Sequence, residues 1–152
     1  MASASKPKII EELDFKIINE DWFVYKLKDG SILKVRPIIV GIFKTDQKDP
    51  ETGKPILAFK GQTIAVVKSP ENLKGKPTLP LPPPPEALKL PKEEVEIEKI
   101  INEPWNHYEV KDIGILKQKL ILMKVYKIKG KYDGEGNPYY VYMARSQTIQ
   151  SQ

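Results

Sequence analysis

KIINEDWFVYKLKD, Lys16 to Asp29, is written again 83 residues later as KIINEPWNHYEVKD, Lys99 to Asp112. Extended to Lys44 and Lys127, the two lines share 14 identities in 29 positions without a gap, where average composition gives roughly two by chance. A repeat of this kind fixes the architecture before any single residue is interpreted. The copies remain recognisable further on. DPETGKPILAF, Asp49 to Phe59, answers DGEGNPYYVY, Asp133 to Tyr142, with one residue deleted, and Gln62-Thr63-Ile64 answers Gln147-Thr148-Ile149.

Between the copies, SPENLKGKPTLPLPPPPEALKLP holds eight of the fourteen prolines. Proline lacks the N–H that strands and helix interiors need, so the segment favours polyproline II and reads as a semi-rigid spacer. Two other uses are open to it. Pro80-Leu81-Pro82-Pro83 fits a PxxP ligand pattern, and Leu79, Leu81, Leu88 and Leu90 could dock the tether on the copies themselves. The expected organisation is an N-terminal tail over 1–12, a first repeat over 13–68, a linker over 69–91 and a second repeat over 92–152.

Within each copy the pattern is that of strands. WFVYKLKDGSILKVRPIIVGIF is rich in β-branched and aromatic residues, and Lys28-Asp29-Gly30 is a hairpin signal. Strands are expected near 13–18, 22–28, 31–44, 56–60 and 62–68, and again near 95–101, 105–111, 114–127, 139–144 and 146–150. Five short strands in about 60 residues match a small barrel. The short loop from Asp46 to Lys54 leaves no room for the helix an OB barrel carries. The expected fold is therefore all-β, two tandem five-stranded SH3-like or Sm-like barrels joined by the Pro-rich linker. The equal copies suggest a pseudo-dimer, one edge strand against its equivalent. The third strand is two-faced: Lys34 and Arg36 are followed on one side by Ile38, Val40 and Ile42, and Lys117 and Lys119 by Ile121, Met123 and Val125. Such a strand must bend sharply or pass from one sheet to another, and Pro37 suits a bulge or an edge.

Composition narrows the chemistry. The absence of cysteine excludes disulfides and thiolate chemistry. No run approaches the roughly 18 apolar residues of a membrane span, and MASASKPK lacks a signal core, so a soluble, cytoplasmic protein with no membrane partner is expected. Lys over Arg at 23 to 2 leans toward a thermophile. The single histidine, His107, has Val24 as its counterpart and no second reactive group to work with. Asp133-Gly-Glu-Gly-Asn137 offers alternating oxygen ligands, yet these are also the residues of a tight turn. No Gly-rich phosphate loop occurs. The chain is read as non-enzymatic, without cofactor or metal.

Asn19-Glu20 and Asn102-Glu103, each just before a Trp, form the most specific shared signature. They read either as a paired polar site across a pseudo-twofold axis, or as a turn cap, a Lys partner and a barrel lid. What remains is positive charge. The net charge is +5, and lysines are interleaved with tyrosines, which suits phosphate neutralisation and base stacking. Candidate nucleic-acid-binding residues are Lys34, Arg36, Lys44, Lys117, Lys119, Lys127, Lys129, Tyr139 and Tyr142. Scarce Arg argues for little sequence specificity, on DNA or RNA. The alternative function is a structural or adaptor protein with protein partners, or a homo-oligomer, formed through sheet edges and the Pro-rich linker.

Overall fold

The computed structural model describes residues 6–151. Ten strands run β1 (Ile9–Leu13), β2 (Phe15–Asn19), β3 (Phe23–Leu27), β4 (Ile32–Lys48), β5 (Pro55–Lys68), β6 (Lys92–Glu94), β7 (Ile97–Asn102), β8 (Asn106–Val110), β9 (Gly114–Tyr132) and β10 (Pro138–Ser151). They form two five-stranded antiparallel sheets. One has the order β1-β4-β3-β7 with β5 along β4, and the other β10-β9-β8-β2 with β6 along β9. The fold is all-β, with five equivalent strands in each repeat. Two closed tandem barrels are not what the pairing builds. Neither sheet closes on itself, because β7 pairs only with β3 and β2 only with β8.

Those two pairings also show that the repeats exchange strands. β2, from the first repeat, completes the sheet of the second, and β7, from the second, completes the sheet of the first. The expected pairing of an edge strand with its own equivalent gives way to this exchange. Because β2 and β7 carry nearly the same residues, either sheet accepts either strand, and the crossings at Asp14 and at Val95-Glu96 decide which it receives. Both crossings are held the same way. Lys111 N–H donates to the Asp14 carbonyl at 2.9 Å, and Lys28 N–H to the Glu96 carbonyl at 2.9 Å.

The cores are shared accordingly. One joins Phe23, Tyr25, Leu27, Leu33 and Val35 to Val95, Leu120, Leu122, Val125 and Tyr140. The other joins Leu13, Ile39 and Ile42 to Tyr108, Val110 and Leu116. β4 thus starts in one core and ends in the other, and β9 does the same in the opposite sense. At roughly 3.3 Å per residue such strands are long enough to bridge two cores. Burying a side chain such as Phe23 stabilises by about 1.5–3 kcal/mol, and here that gain depends on both repeats at once.

The two-faced third strand is resolved by a bulge. In β4 the register slips between Ile39 and Gly41, and in β9 between Leu122 and Lys124. The extra residue, Val40 or Met123, shifts the alternation by one, so Ile42 turns inward while Val40 stays out. The bulge lies three residues beyond Pro37, which pairs with Thr63. Pro37 stands instead between the stretch of β4 paired to β3 and the stretch paired to β1, on an edge with no strand to receive an N–H.

The strands expected over 56–60 and 62–68 are one, as are those over 139–144 and 146–150. Gly61 marks a close approach and not a turn, since a Cβ there would lie 2.3 Å from the Ile38 carbonyl oxygen at the bulge. β1 and β6 lie outside the ten expected strands. The segment 69–91 is docked. It holds one 3-10 turn (Glu71–Leu73) and one helical turn (Pro84–Ala87). Ala87 is buried against Ile128 and Val141, with Leu88 and Leu90 packed beside it. Leu79, by contrast, stays exposed.

Candidate nucleic-acid interface

Alternation places the basic residues. Leu33 and Val35 of β4 fill the core, so Lys34 and Arg36 point to the outer face of that sheet. In β9, Leu116 and Leu120 point inward and Lys117 and Lys119 outward. Each outer face carries a half-buried tryptophan under a cation: Arg36 Cζ lies 5.9 Å from the Trp22 ring centroid, and Lys119 Nζ 5.5 Å from that of Trp105.

The repeated Asn-Glu-x-Trp word builds the ground beneath these pairs. Glu20 Oε2 accepts from the Tyr108 hydroxyl at 2.8 Å and from the Ile39 N–H at 3.0 Å. Glu103 accepts from the Tyr25 hydroxyl at 3.1 Å and pairs with Lys119 at 3.2 Å. Each glutamate therefore serves a tyrosine of the other repeat. Both phenols are raised above the ordinary tyrosine range, first by burial and then by the neighbouring carboxylate, so they remain protonated donors. The asparagines cross over as well. Asn19 Nδ2 donates to the Trp105 carbonyl and Asn102 Nδ2 to the Trp22 carbonyl, both at 2.9 Å. The signature is a reciprocal clasp between the repeats. The expected Lys partner is present for Glu103, whereas Glu20 holds backbone at the gap in β4.

Of the nine candidate residues, four reach these faces, Lys34 and Arg36 on one and Lys117 and Lys119 on the other. Lys44 lies half-buried beyond the bulge. Lys127 is paired with Glu93 at 3.2 Å. Lys129 is exposed at the far end of β9, where its N–H donates to the Pro91 carbonyl. The Tyr139 hydroxyl donates to the Pro82 carbonyl at 2.7 Å, and Tyr142 packs on the first core. The tyrosines thus serve the tether and the interior. Two cations that the sequence reading passed over join the faces: Lys60, which lies on the same side of β5 as Gln62 and Ile64, and Arg145, opposite Ile121. Strand alternation through β5 and β10 is the signal that finds them. Among the described residues Lys34, Lys60, Lys117 and Arg145 have no ion-pair partner.

Other chemistry finds little purchase. His107 Nδ1 lies 2.6 Å from Asn19 Oδ1, inside the clasp. Asp133 Oδ1 accepts from the Glu135 and Asn137 N–H groups, both at 2.9 Å, which is a turn closing on itself. Among the described residues no group of three His, Asp or Glu could hold a metal, and no helix is long and apolar enough to cross a membrane. An open cleft of about 810 Å³ beside Phe15, Val110 and Ile113 lies at the end of β2 and β8, with none of the candidate residues in its lining. Compared with protein-family models, with curated proteins and with solved structures, the chain matches none of them.

Proposed function

We propose that the protein is a non-enzymatic nucleic-acid-binding module, with each half a small barrel opened by strand exchange and each outer face a shallow cationic platform. The observation that carries this reading is the recurrence of one device on both sheets, a cation over a half-exposed tryptophan flanked by unpaired lysine. Lysine neutralises phosphate without reading base edges, and an indole ring face stacks on any base, so binding is weakly sequence-specific and favours single strands. The test is retention of a labelled single-stranded oligonucleotide across a salt series. Affinity falling steeply from 50 to 200 mM salt is the expected result. No retention of DNA or RNA at the lowest salt removes the reading.

A second reading is an adaptor that binds proteins through its sheet edges. It is favoured by the outer edges of β5 and β10, where Ile64, Val66, Met143 and Ile149 are exposed. The tether supports it less, since Leu88 and Leu90 are packed and the Pro82 carbonyl is already bonded.

A further inference from the structure

Six of the ten strands are short, of three to six residues, and the four of these that end a sheet carry edge protection. β2 and β7 contain Lys16 or Glu98-Lys99 and slip register at Ile18 and Ile101, while β1 and β6 carry Glu11-Glu12 and Lys92-Glu93-Glu94. Charges and bulges of this kind discourage further pairing. β5 and β10 differ. Each has 14 residues, and the charged ones are Lys60 and Lys68 in β5 and Arg145 in β10. Among the described residues each pairs along one side only, with β4 or β9. From Phe59 to Val66 every residue of β5 is exposed, on both faces of the strand, and so is every residue from Met143 to Ile149. The tether covers the beginning of β10 at Tyr139 and Val141 and leaves this stretch open.

Both open stretches contain Gln-Thr-Ile, and the fold does not make the two tripeptides equivalent. Ile38 pairs with Gln62, but its counterpart Ile121 pairs with Arg145, so Gln147-Thr148-Ile149 is displaced from Gln62-Thr63-Ile64 by two residues. A shift of two keeps every side chain on its own face.

We propose that β5 of one copy pairs antiparallel with β10 of a second copy, with Thr63 opposite Thr148. In that register Gln62 faces Ile149, Ile64 faces Gln147 and Val66 faces Arg145. All of these lie on outer faces, because their ladder partners Ile38, Arg36, Lys34, Lys117, Lys119 and Ile121 do. The two sheets then merge into one, and Lys34 and Arg36 of one copy share a surface with Lys117 and Lys119 of the next. A one-residue slip would turn one of the two sheets over. Each copy offers one β5 edge and one β10 edge, so the contact is head-to-tail and leaves a free edge at each end, from which the assembly elongates. Nothing in this depends on the ligand of the outer faces.

The experiment is light scattering on the full chain over a concentration series, with no nucleic acid, for the wild type and two double variants at these exposed positions. Growth through dimers to longer species is expected for the wild type. T63K/T148K sets like charges opposite each other and is expected to weaken the contact by roughly threefold to tenfold. T63K/T148E sets opposite charges together and should restore or exceed wild-type association. Circular dichroism checks that both variants keep the fold. A wild type that stays monomeric at hundreds of micromolar, one that stops at a closed dimer, or two double variants that behave alike each overturns the proposal.

Discussion

Asn19 and Asn102 occupy the same place in the two repeats, and each bonds to the repeat it does not belong to. Their amides end on the Trp105 and Trp22 carbonyls at the same distance, 2.9 Å. The pair is not fully symmetric. Asn19 also meets His107 through Oδ1 at 2.6 Å and donates to Asp21 at 2.9 Å, whereas the counterpart of His107 is Val24.

That asymmetry gives the first prediction. Asn102→Ala should destabilise by about 1 kcal/mol, the usual net value of a lost hydrogen bond, and Asn19→Ala by about 1 kcal/mol more, because it also strands a histidine nitrogen. Equal costs in urea unfolding would show that the His107 contact contributes nothing.

The glutamates of the clasp separate charge from hydrogen bonding. Glu103→Ala leaves the buried Tyr25 hydroxyl and Lys119 without their acceptor and should cost about 1–3 kcal/mol. Glu103→Gln keeps an acceptor and should cost less. Thermal melting of the two variants checks the order, and equal costs would mean that the charge alone matters.

High pH should act through buried phenols. The Tyr140 hydroxyl, raised from 10.0 to about 12 by burial and by its bond to Asp29, is protonated in the folded chain at pH values where the unfolded chain has lost that proton. Its contribution is complete below about pH 10 and is lost as pH rises through about 12. Tyr25 and Tyr108 shift in the same direction. Tyr140→Phe should therefore lose stability less steeply with rising pH than the wild type, and parallel curves would contradict the assignment.

On the outer faces, Lys34→Glu and Lys117→Glu should each weaken oligonucleotide binding and reduce the salt slope by about one, leaving the melting temperature close to wild type. Lys127→Ala, which removes a cation already paired to Glu93, should leave the slope unchanged. A slope that responds to Lys127 and not to Lys117 would move the interface elsewhere.

The docked tether is tested at Ala87, which is fully buried against Ile128 and Val141. Ala87→Asp places an unpaired carboxylate in that apolar contact and should release the segment, seen as faster cleavage by trypsin after Lys74 and Lys89. Unchanged cleavage would show that the tether is held by its other bonds.

Much of this architecture could be read from the chain. The duplication, the strand class and the places of β3, β4, β8 and β9 follow from one repeated line and from alternation, and the face change along β4 pointed to a sharp bend or a change of sheet, where the strand stays in one sheet and passes a bulge. The exchange of β2 and β7 could not be read, because swapped and unswapped sheets use the same residues in the same pairs. Only the crossing at Asp14 and its counterpart at Glu96 distinguish them. β1 and β6 escaped because they are short, charged and exposed. On the candidate interface, alternation puts Lys34, Arg36, Lys117 and Lys119 on outer faces, whereas the contacts of Tyr139 with the tether, of Lys127 with β6 and of Tyr142 with the first core join segments far apart in sequence and leave no local signal.

The shared cores also bear on synthesis at the ribosome. Phe23, Tyr25 and Leu33 emerge early, but the residues that cover them, Leu120, Leu122 and Val125, are translated roughly 90 residues later, which at typical elongation rates is a wait of roughly 5 to 20 s. For that interval the nascent first half presents an uncovered aromatic face and an unpaired strand edge. A chain built this way should lean on holdase chaperones during translation and far less on renaturation from denaturant, when both halves are present from the start.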